Sequence, residues 1–224
     1  MKHPLLILLL LLSYSAHAQR EFAVIHDPEG FCHVRSRPHM GNDVTDTLYN
    51  GAIVYCFEPE RNWISIEPGE ENLRAFNSGY VYCDRVKPIS DFTAIPRRAP
   101  NIFQLDSISI TVATRNIPPH TYTKADFVDS HGHIRRTCWG TDGDIPTRAY
   151  QSINITLGKR KLTLPPAALK NLFEPNADSF RAYYDPATDI LYLLAQNGDG
   201  AGSYDIVWKI DQGQYVGRCI DRGF

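Results

Sequence analysis

Short stretches of alternating apolar and polar residues fill the first third of the chain. Because successive side chains of a β-strand point to opposite faces, each stretch predicts a strand with one face in a core. In one of them, Cys32 and Val34 share a face. Turn sequences such as Asn50-Gly51 join neighbouring stretches into hairpins, and strands joined in this way indicate a small barrel. The predicted strands cover residues 21–26, 31–35, 52–57, 62–67 and 79–86.

The rest of the chain, residues 101–224, alternates in the same way apart from one segment. Residues 165–173 open with two prolines and place Leu169, Leu172 and Phe173 on one side of a helix, so they predict a single short helix. Alternation elsewhere predicts antiparallel strands joined by turns rich in Asp, Asn and Gly. These strands cover residues 107–114, 121–128, 134–139, 148–157, 162–164, 180–184, 190–196, 203–210 and 214–220.

A proline-rich segment separates the two regions. Residues 89–100 contain Pro96 and Pro100 and show neither strand nor helix periodicity, which predicts a linker because proline lacks a backbone donor. The fold class that follows is all-β with one short helix. We expect an amino-terminal barrel over residues 19–88 and a carboxy-terminal antiparallel sheet or barrel over residues 101–224.

An export signal is predicted at the start of the chain. Residues 1–18 combine Lys2, an apolar run over residues 5–12 and the small-residue motif Ala16-His17-Ala18. This combination is typical of a secretory signal peptide, cleaved here before Gln19. The apolar run spans only ~12 Å as a helix, against the ~30 Å of a bilayer core. We therefore expect a periplasmic or secreted protein whose mature form does not insert into a membrane.

Composition narrows the class of protein further. Of the 224 residues, 43% are hydrophobic and 21% are charged, which is enough apolar surface to bury a core. The formal net charge is -2. A chain without a basic excess is not expected to bind nucleic acid, whose phosphates attract Lys and Arg.

The cysteines are read in the light of the export signal, since disulfides form and persist outside the cytoplasm. Five cysteines leave at least one unpaired. Cys138 and Cys219 both belong to the second region, and we expect these two to pair. The remaining three, Cys32, Cys56 and Cys83, offer no basis for choosing a pair, and five buried thiols are the alternative.

Several blocks of the first region resemble the bacterial SH3-like (SH3b) domain. Residues 27–38 read DPEGFCHVRSRP, where that family typically reads D-x-D-G-Y-V-N-V-R-S-x-P. Residues 48–51, 63–66 and 79–82 follow in the order expected for the family. The resemblance covers residues 22–88 and implies an SH3-like barrel that recognises a cell-wall peptide or a protein surface.

The first region departs from that family in two places. Cys32 and His33 replace an apolar residue and Asn, and residues 68–78 form an unusually long loop before the last strand. The second region resembles a domain of uncharacterised secreted bacterial proteins, which implies no activity. Its two Gly-Asp loops, residues 140–144 and 197–204, are expected to pack together and shape one surface.

Aromatic and acidic side chains supply the candidate binding residues. Exposed aromatic residues of small barrels commonly line a peptide groove, because Tyr and Trp offer a large apolar face with a polar tip. The opposing interpretation places some of these rings in the core. The candidates are Tyr49, Trp63, Tyr80 and Tyr82 in the first region, and Asp142, Asp144, Asp199 and Tyr204 in the second.

The sequence favours neither catalysis nor a metal site, and we expect no cofactor. It contains no G-x-S-x-G and no H-E-x-x-H motif, and no His follows Cys138 as a papain-like enzyme would require. His131 and His133 lie at a predicted turn, where polar residues are common without zinc. The acidic residues of the Gly-Asp loops do not match the calcium-binding pattern D-x-[DN]-x-[DN]-G.

Three functional hypotheses follow. In the first, the protein is a non-enzymatic binding protein whose SH3-like module recognises a cell-wall peptide, such as that of peptidoglycan, or a protein surface. In the second, it is a periplasmic immunity or inhibitor protein that blocks a secreted toxin or enzyme, and the acidic segments 58–60 and 67–71 are among the features that suit such a protein. In the third, it is a cell-wall enzyme of unrecognised type.

Overall fold

The structure, a computed structural model, describes residues 20–72, 74–135, 137–198 and 200–222. The predicted signal peptide, residues 1–18, lies outside these ranges. The described chain consists mainly of antiparallel strands in three sheets, which confirms the mainly-β prediction. Within those ranges, no helix combines the length and the apolar character needed to cross a membrane.

The first region forms a seven-stranded sheet, which we call the amino-terminal sheet. Its strands are β1 (Glu21–Ile25), β2 (Phe31–Arg35), β3 (Val44–Tyr49), β4 (Ile53–Glu60), β5 (Trp63–Glu67), β6 (Gly79–Tyr82) and β7 (Val86–Pro88). They follow the order β3-β2-β6-β5-β4-β1-β7, and every pairing is antiparallel. Alternate residues face one core that includes Val34, Ile66 and Val81. The SH3-like barrel stays a prediction for this sheet.

Two further sheets follow along the chain. Their elements are β8 (Thr93–Ala94), β9 (Arg97–Ala99), β10 (Ile102–Leu105), β11 (Ile108–Asn116), β12 (Arg148–Leu157), β13 (Arg160–Thr163), α1 (Pro166–Leu169), β14 (Arg181–Asp185), β15 (Ile190–Asn197), β16 (Tyr204–Asp211) and β17 (Gln214–Arg222). The middle sheet has the order β17-β16-β15-β14-β8, and the outer sheet has the order β13-β12-β11-β10-β9.

The middle sheet is covered on both faces. Leu193 and Trp208 belong to the core that it shares with the outer sheet. Tyr192 and Val207, which point the other way along the same strands, belong to a core with Tyr55 and other residues of the amino-terminal sheet. The two regions therefore share a core, and the amino-terminal sheet is packed firmly on the second region.

The segment assigned to a linker, residues 89–100, is built into the sheets instead. Its strands β8 and β9 pair with β14 and β10. Ile89 and Ile95 are buried, and the Ile95 N–H donates to the carbonyl of Ala182 at 2.8 Å. The residues between the two isoleucines, 90–94, mix polar and apolar types without a strand or helix period, although the burial of Ile89 and Ile95 holds the segment in place.

The helix predicted over residues 165–173 is shorter than expected. Helix α1 covers Pro166–Leu169, and the chain then turns into an extended conformation. Leu172 forms a β-bridge with Trp139, and the Phe173 N–H donates to the carbonyl of Trp139 at 2.9 Å. Pairing with that distant backbone competes with continuation of the helix and ends it after one turn.

The turn predicted at residues 129–133 is formed, and the Asp129 N–H donates to the His133 carbonyl across it at 2.8 Å, but the strands predicted on either side, residues 121–128 and 134–139, do not appear among the described strands. The first segment contains a 3₁₀ turn, Lys124–Asp126, and between the two segments an isolated bridge joins Val128 and Ile134. The Asp126 carboxylate accepts hydrogen bonds from both the N–H and the hydroxyl of Thr123, at 2.7 and 2.9 Å. This local cap favours a helical turn over a strand.

A loop of the first region, residues 68–72, connects the amino-terminal sheet to the second region, and we call it the junction loop. The Glu71 carboxylate lies 2.6 Å from a guanidinium nitrogen of Arg218 and also accepts a hydrogen bond from the Trp139 indole at 3.0 Å. Gly69 has a φ of +64°, and a Cβ there would lie 2.7 Å from the Cys219 sulfur. The long loop of the sequence analysis is therefore a structural connection.

We expect Glu71→Ala to lower the free energy of unfolding by about 3 kcal/mol, because it leaves the buried Arg218 guanidinium without its carboxylate. Unfolding in guanidinium chloride, followed by tryptophan fluorescence, measures the change. Glu60→Ala, at the exposed end of β4, is the matched control and should change stability by less than about 0.5 kcal/mol. Equal effects of the two variants would contradict the role assigned to this ion pair.

Carboxyl groups crowd the seam between the two regions. Asp205 and Asp221 face each other across β16 and β17, and the Tyr55 hydroxyl donates to Asp205 at 2.8 Å. Burial, reinforced by the negative charges of Glu67 and Asp205, raises the pKa of Asp221 to about 7, while Arg20 acts in the opposite direction. Burial also raises the pKa of Asp205.

This seam predicts a pH dependence of stability. The folded protein keeps a proton on Asp221 up to about pH 7, whereas the unfolded chain releases it near pH 4. The contribution of Asp221 to the free energy of unfolding is therefore fully present below pH 4 and is lost as the pH rises to about 7. In Asp221→Asn, the loss of unfolding free energy between pH 5 and pH 8 should be about 1 kcal/mol smaller than in the unmodified protein.

Chemical denaturation at the two pH values measures this difference, with Asp178→Asn as the control because its side chain is 98% exposed. A change in pH sensitivity as large in the control as in Asp221→Asn would refute the assignment to the seam.

Candidate functional site

An open groove with a volume of about 480 Å³ lies on the amino-terminal sheet. Strands β2, β5 and β6 and the turns around them supply its walls. The lining residues are Asp27, Glu29, Phe31, Cys32, His33, Arg35, Met40, Trp63, Tyr82, Asp84 and Arg85. Aromatic rings and charged groups therefore face the same space.

One wall of the groove is a fixed pair of aromatic rings. Trp63 and Tyr82 are direct partners across β5 and β6, and their rings meet edge to face with centroids 5.2 Å apart. The Asn62 side-chain amide donates to the Tyr82 hydroxyl at 2.9 Å. Both rings are half-buried, so each is held in one orientation while part of its surface faces solvent.

A second part of the lining comes from β2 and the loop that follows it. Phe31 and His33 pack edge to face at 5.4 Å, and a ring nitrogen of His33 lies 3.0 Å from the Thr47 hydroxyl. Met40 is 75% exposed. The loop that carries Met40 is held by Arg35, whose guanidinium donates a hydrogen bond to the Gly41 carbonyl.

Charged groups gather at one end of the groove. Arg85 contacts the buried Asp27 at 2.9 Å and Asp84 at 3.1 Å. Burial works against the charged form of Arg85, but the carboxylates of Asp27, Asp84 and Glu29 outweigh it and raise the pKa of the guanidinium. Three carboxylates thus share one cation, which leaves this end of the groove negative.

The thiol in the groove is not an activated nucleophile. Cys32 is 6% exposed, and burial, together with the negative charge of Asp27, raises the pKa of its thiol to about 12. At neutral pH the group stays protonated, whereas the thiolate is the reactive form. The geometry suits binding by contact and charge better than covalent chemistry.

Of the predicted aromatic residues, the structure brings Trp63 and Tyr82 together in the groove. Tyr80 lies two residues before Tyr82 on β6, opposite Ser65, and does not line it. Tyr49 also lies outside the lining, at the end of the edge strand β3, where it is 63% exposed beneath the guanidinium of Arg74.

The two Gly-Asp loops of the second region pack together, as predicted. A Cβ on Gly198 would lie 3.2 Å from the Cα of Gly140, and a Cβ on Gly202 would lie 3.1 Å from the Thr141 carbonyl carbon. Both approaches are close, and Gly198 also has a φ of +69°, which side chains rarely adopt. The contact is part of the fold, since these glycines fit against the backbone of the facing loop.

The described acidic and aromatic candidates of these loops, Asp142, Asp144 and Tyr204, do not line a common site. Asp142 and Asp144 are exposed, and Asp199 lies outside the described residues. Tyr204 is fully buried, and its hydroxyl donates to the Phe173 carbonyl at 3.1 Å. The predicted binding role of Tyr204 is therefore wrong, because its ring fills the core. Among the residues that the structure covers, no three His, Cys, Asp or Glu side chains are grouped to hold a metal ion.

The predicted disulfide between Cys138 and Cys219 is not formed. All five cysteines are free. Cys138 packs with Phe127 and Phe173, whereas Cys219 belongs to the core between the middle and amino-terminal sheets. Membership of the same region of sequence did not bring the two sulfurs into the same cluster.

Sequence reasoning missed the charged end of the groove. Asp27 and Arg85 are 58 residues apart, and no local pattern links them. Phe31 and Glu29 stood in the family-like motif over residues 27–38 without being assigned a role. Met40 lies in a polar loop where a single exposed apolar residue gives no distinctive signal.

Comparisons with protein-family models, curated proteins and solved structures give no match for this chain.

Free thiols can be counted directly. Purified without reductant and then denatured, the protein should give five reactive thiols per chain with an aromatic disulfide reagent. In the native state Cys83, which is partly exposed, should react before the four buried thiols, and Cys83→Ser should remove that early phase. A count of three or fewer in the denatured protein would show that a disulfide had formed.

Proposed function

We propose that this protein is a non-enzymatic binding protein whose groove holds an extended peptide of the bacterial cell wall. The observation that carries the proposal is the ring pair of Trp63 and Tyr82, fixed by packing and by the Asn62 hydrogen bond yet open to the groove. Rigid aromatic surfaces bind well because little side-chain entropy is lost when a ligand covers them.

The dimensions of the groove suit a short peptide segment. Its volume of about 480 Å³ falls within the ~300–1,000 Å³ typical of ligand sites. Phe31 and Met40 line the same groove as the ring pair, so a ligand would meet further apolar surface there. Polar groups at one end would fix its direction.

The sequence supports the choice of a cell-wall peptide. Residues 22–88 resemble SH3b domains, whose members recognise such peptides, and the groove lies within that range. The predicted export signal would deliver the protein to the compartment that contains the wall. These two arguments are independent of the groove geometry.

The inhibitor hypothesis loses part of its support in the structure. The acidic segment 67–71 was one of two segments that suit an inhibitor, but its Glu70 and Glu71 form ion pairs with Arg222 and Arg218 of the same chain. Segment 58–60 stays exposed at the end of β4. Two of the five glutamates in these segments thus join the two regions.

Co-sedimentation with isolated peptidoglycan sacculi tests the proposal. The mature protein, residues 19–224, should sediment with sacculi, and Trp63→Ala should weaken the association at least about tenfold, as expected for a central aromatic contact. A point variant is preferable to a truncation, because the two regions share a core.

Ile145→Ala is the control for this experiment, since it removes an apolar side chain that is 49% exposed and does not line the groove. It should sediment like the unmodified protein. No enrichment with sacculi over an unrelated acidic protein would refute the proposed function and direct the search to a protein partner. Equal losses in both variants would refute the assignment of binding to the groove.

A further inference from the structure

We infer that the ligand of this groove carries a free primary ammonium group at the end of an aliphatic side chain, as lysine does. The inference rests on the proposed function and specifies the chemistry of the ligand. It combines two observations that do not depend on the family resemblance. One is the negative end of the groove, and the other is the set of aromatic faces beside it.

The negative end is not neutralised within the protein. Arg85 is the shared partner of Asp27 and Asp84, and the Glu29 carboxylate adds to the charge around it. The Asp27 side chain is only 4% exposed, whereas that of Asp84 is 65% exposed. Asp84 and Glu29 are therefore the carboxylates that a ligand would meet.

The other guanidinium in the groove does not offset this charge. Arg35 is 11% exposed at its side chain, lies 3.6 Å from the carboxylate of Asp43 and donates to the Gly41 carbonyl. Its charge is committed to the loop after β2. The remaining cation, Arg85, is already paired with Asp27 and Asp84, so a ligand carboxylate would have to compete with two carboxylates of the protein for it.

Aromatic faces next to carboxylates favour an ammonium ion for a second reason. The face of an aromatic ring carries partial negative charge, so it attracts a cation. This chain makes the same contact elsewhere, where the Lys87 ammonium lies 4.2 Å from the centre of the Phe92 ring. In the groove, the open surfaces of Trp63 and Tyr82 can receive a ligand cation in the same manner.

The apolar walls select where the ammonium sits in the ligand. A lysine-like side chain has an aliphatic stem that packs against rings and a charged tip that seeks carboxylates. Met40 and Phe31 complete the apolar surroundings for such a stem, and Asp84 and Glu29 receive the tip. A backbone amino terminus has no comparable stem to cover these surfaces.

Chemically modified sacculi test the inference. Sacculi with acetylated amines should bind the protein about tenfold more weakly than mock-treated sacculi, whereas sacculi with esterified carboxyl groups should bind at least as well. Glu29→Gln and Asp84→Asn should each weaken binding to mock-treated sacculi and have little further effect on acetylated sacculi. Asp178→Asn, whose side chain is 98% exposed and does not line the groove, is the charge-matched control.

A pair of isomeric competitors locates the amine. At millimolar concentration, Nα-acetyl-lysine amide keeps the side-chain amine and should displace the protein from sacculi. Nε-acetyl-lysine amide keeps the α-amine instead and should not displace it. Equal or better competition by the second isomer would overturn the assignment to a side-chain ammonium.

The outcomes separate the inference from the proposed function. If acetylated and mock-treated sacculi bind equally well and Trp63→Ala abolishes both associations, the groove binds the wall but the ammonium inference is wrong. If the protein binds neither preparation, the proposed function fails and the inference fails with it.

Discussion

A buried guanidinium joins the two regions of this protein. Arg218 contacts the Glu71 carboxylate at 2.6 Å and donates to the carbonyls of Ala168 and Lys170, each at 3.0 Å. An arginine that is 8% exposed is tolerated only when its donors are satisfied, because an unpaired buried charge is strongly destabilising. The junction loop, the end of α1 and β17 must therefore be in place together. The Trp139 indole depends on the same carboxylate, which ties the Gly-Asp loops to this point as well.

The groove inherits its rigidity from this arrangement. Tyr55 on β4 packs against the middle sheet in a core with Phe22 and Val24 of β1. The neighbouring strand β5 carries Trp63, whose partner Tyr82 lies on β6. The ring pair is thus only one or two strands from a surface that cannot move without disturbing the shared core. Such preorganisation reduces the entropy lost on binding.

Strands were predictable from sequence wherever one face meets a core and the other meets solvent. The alternation of Cys32 and Val34 gave β2 its bounds. The hairpin expected at Asn50-Gly51 is wrong, because β3 pairs with β2, whereas β4 pairs with β1 and β5. Features that depend on distant partners were not predictable. The helix ends after Leu169 because Leu172 pairs with Trp139, about 30 positions away. Arg85 is held at the groove by its ion pair with Asp27, which is also far from it in sequence. The nearly continuous apolar run of β15 is typical of a strand buried on both faces. A search for alternating apolar and polar residues does not distinguish such a strand from one with a solvent-exposed face.

The shared core has a consequence for how such a protein can evolve. A small domain that keeps its whole surface polar can be copied, fused and exchanged between genes as a self-sufficient cassette. Here Phe22 of β1 and Tyr55 of β4 are buried against the middle sheet. Gly69 lies so close to Cys219 that a side chain at position 69 would clash with its sulfur. Either region, expressed without the other, would expose an apolar surface to solvent. The two halves are therefore expected to be inherited as a pair, with substitutions along the seam tracking one another across descendants.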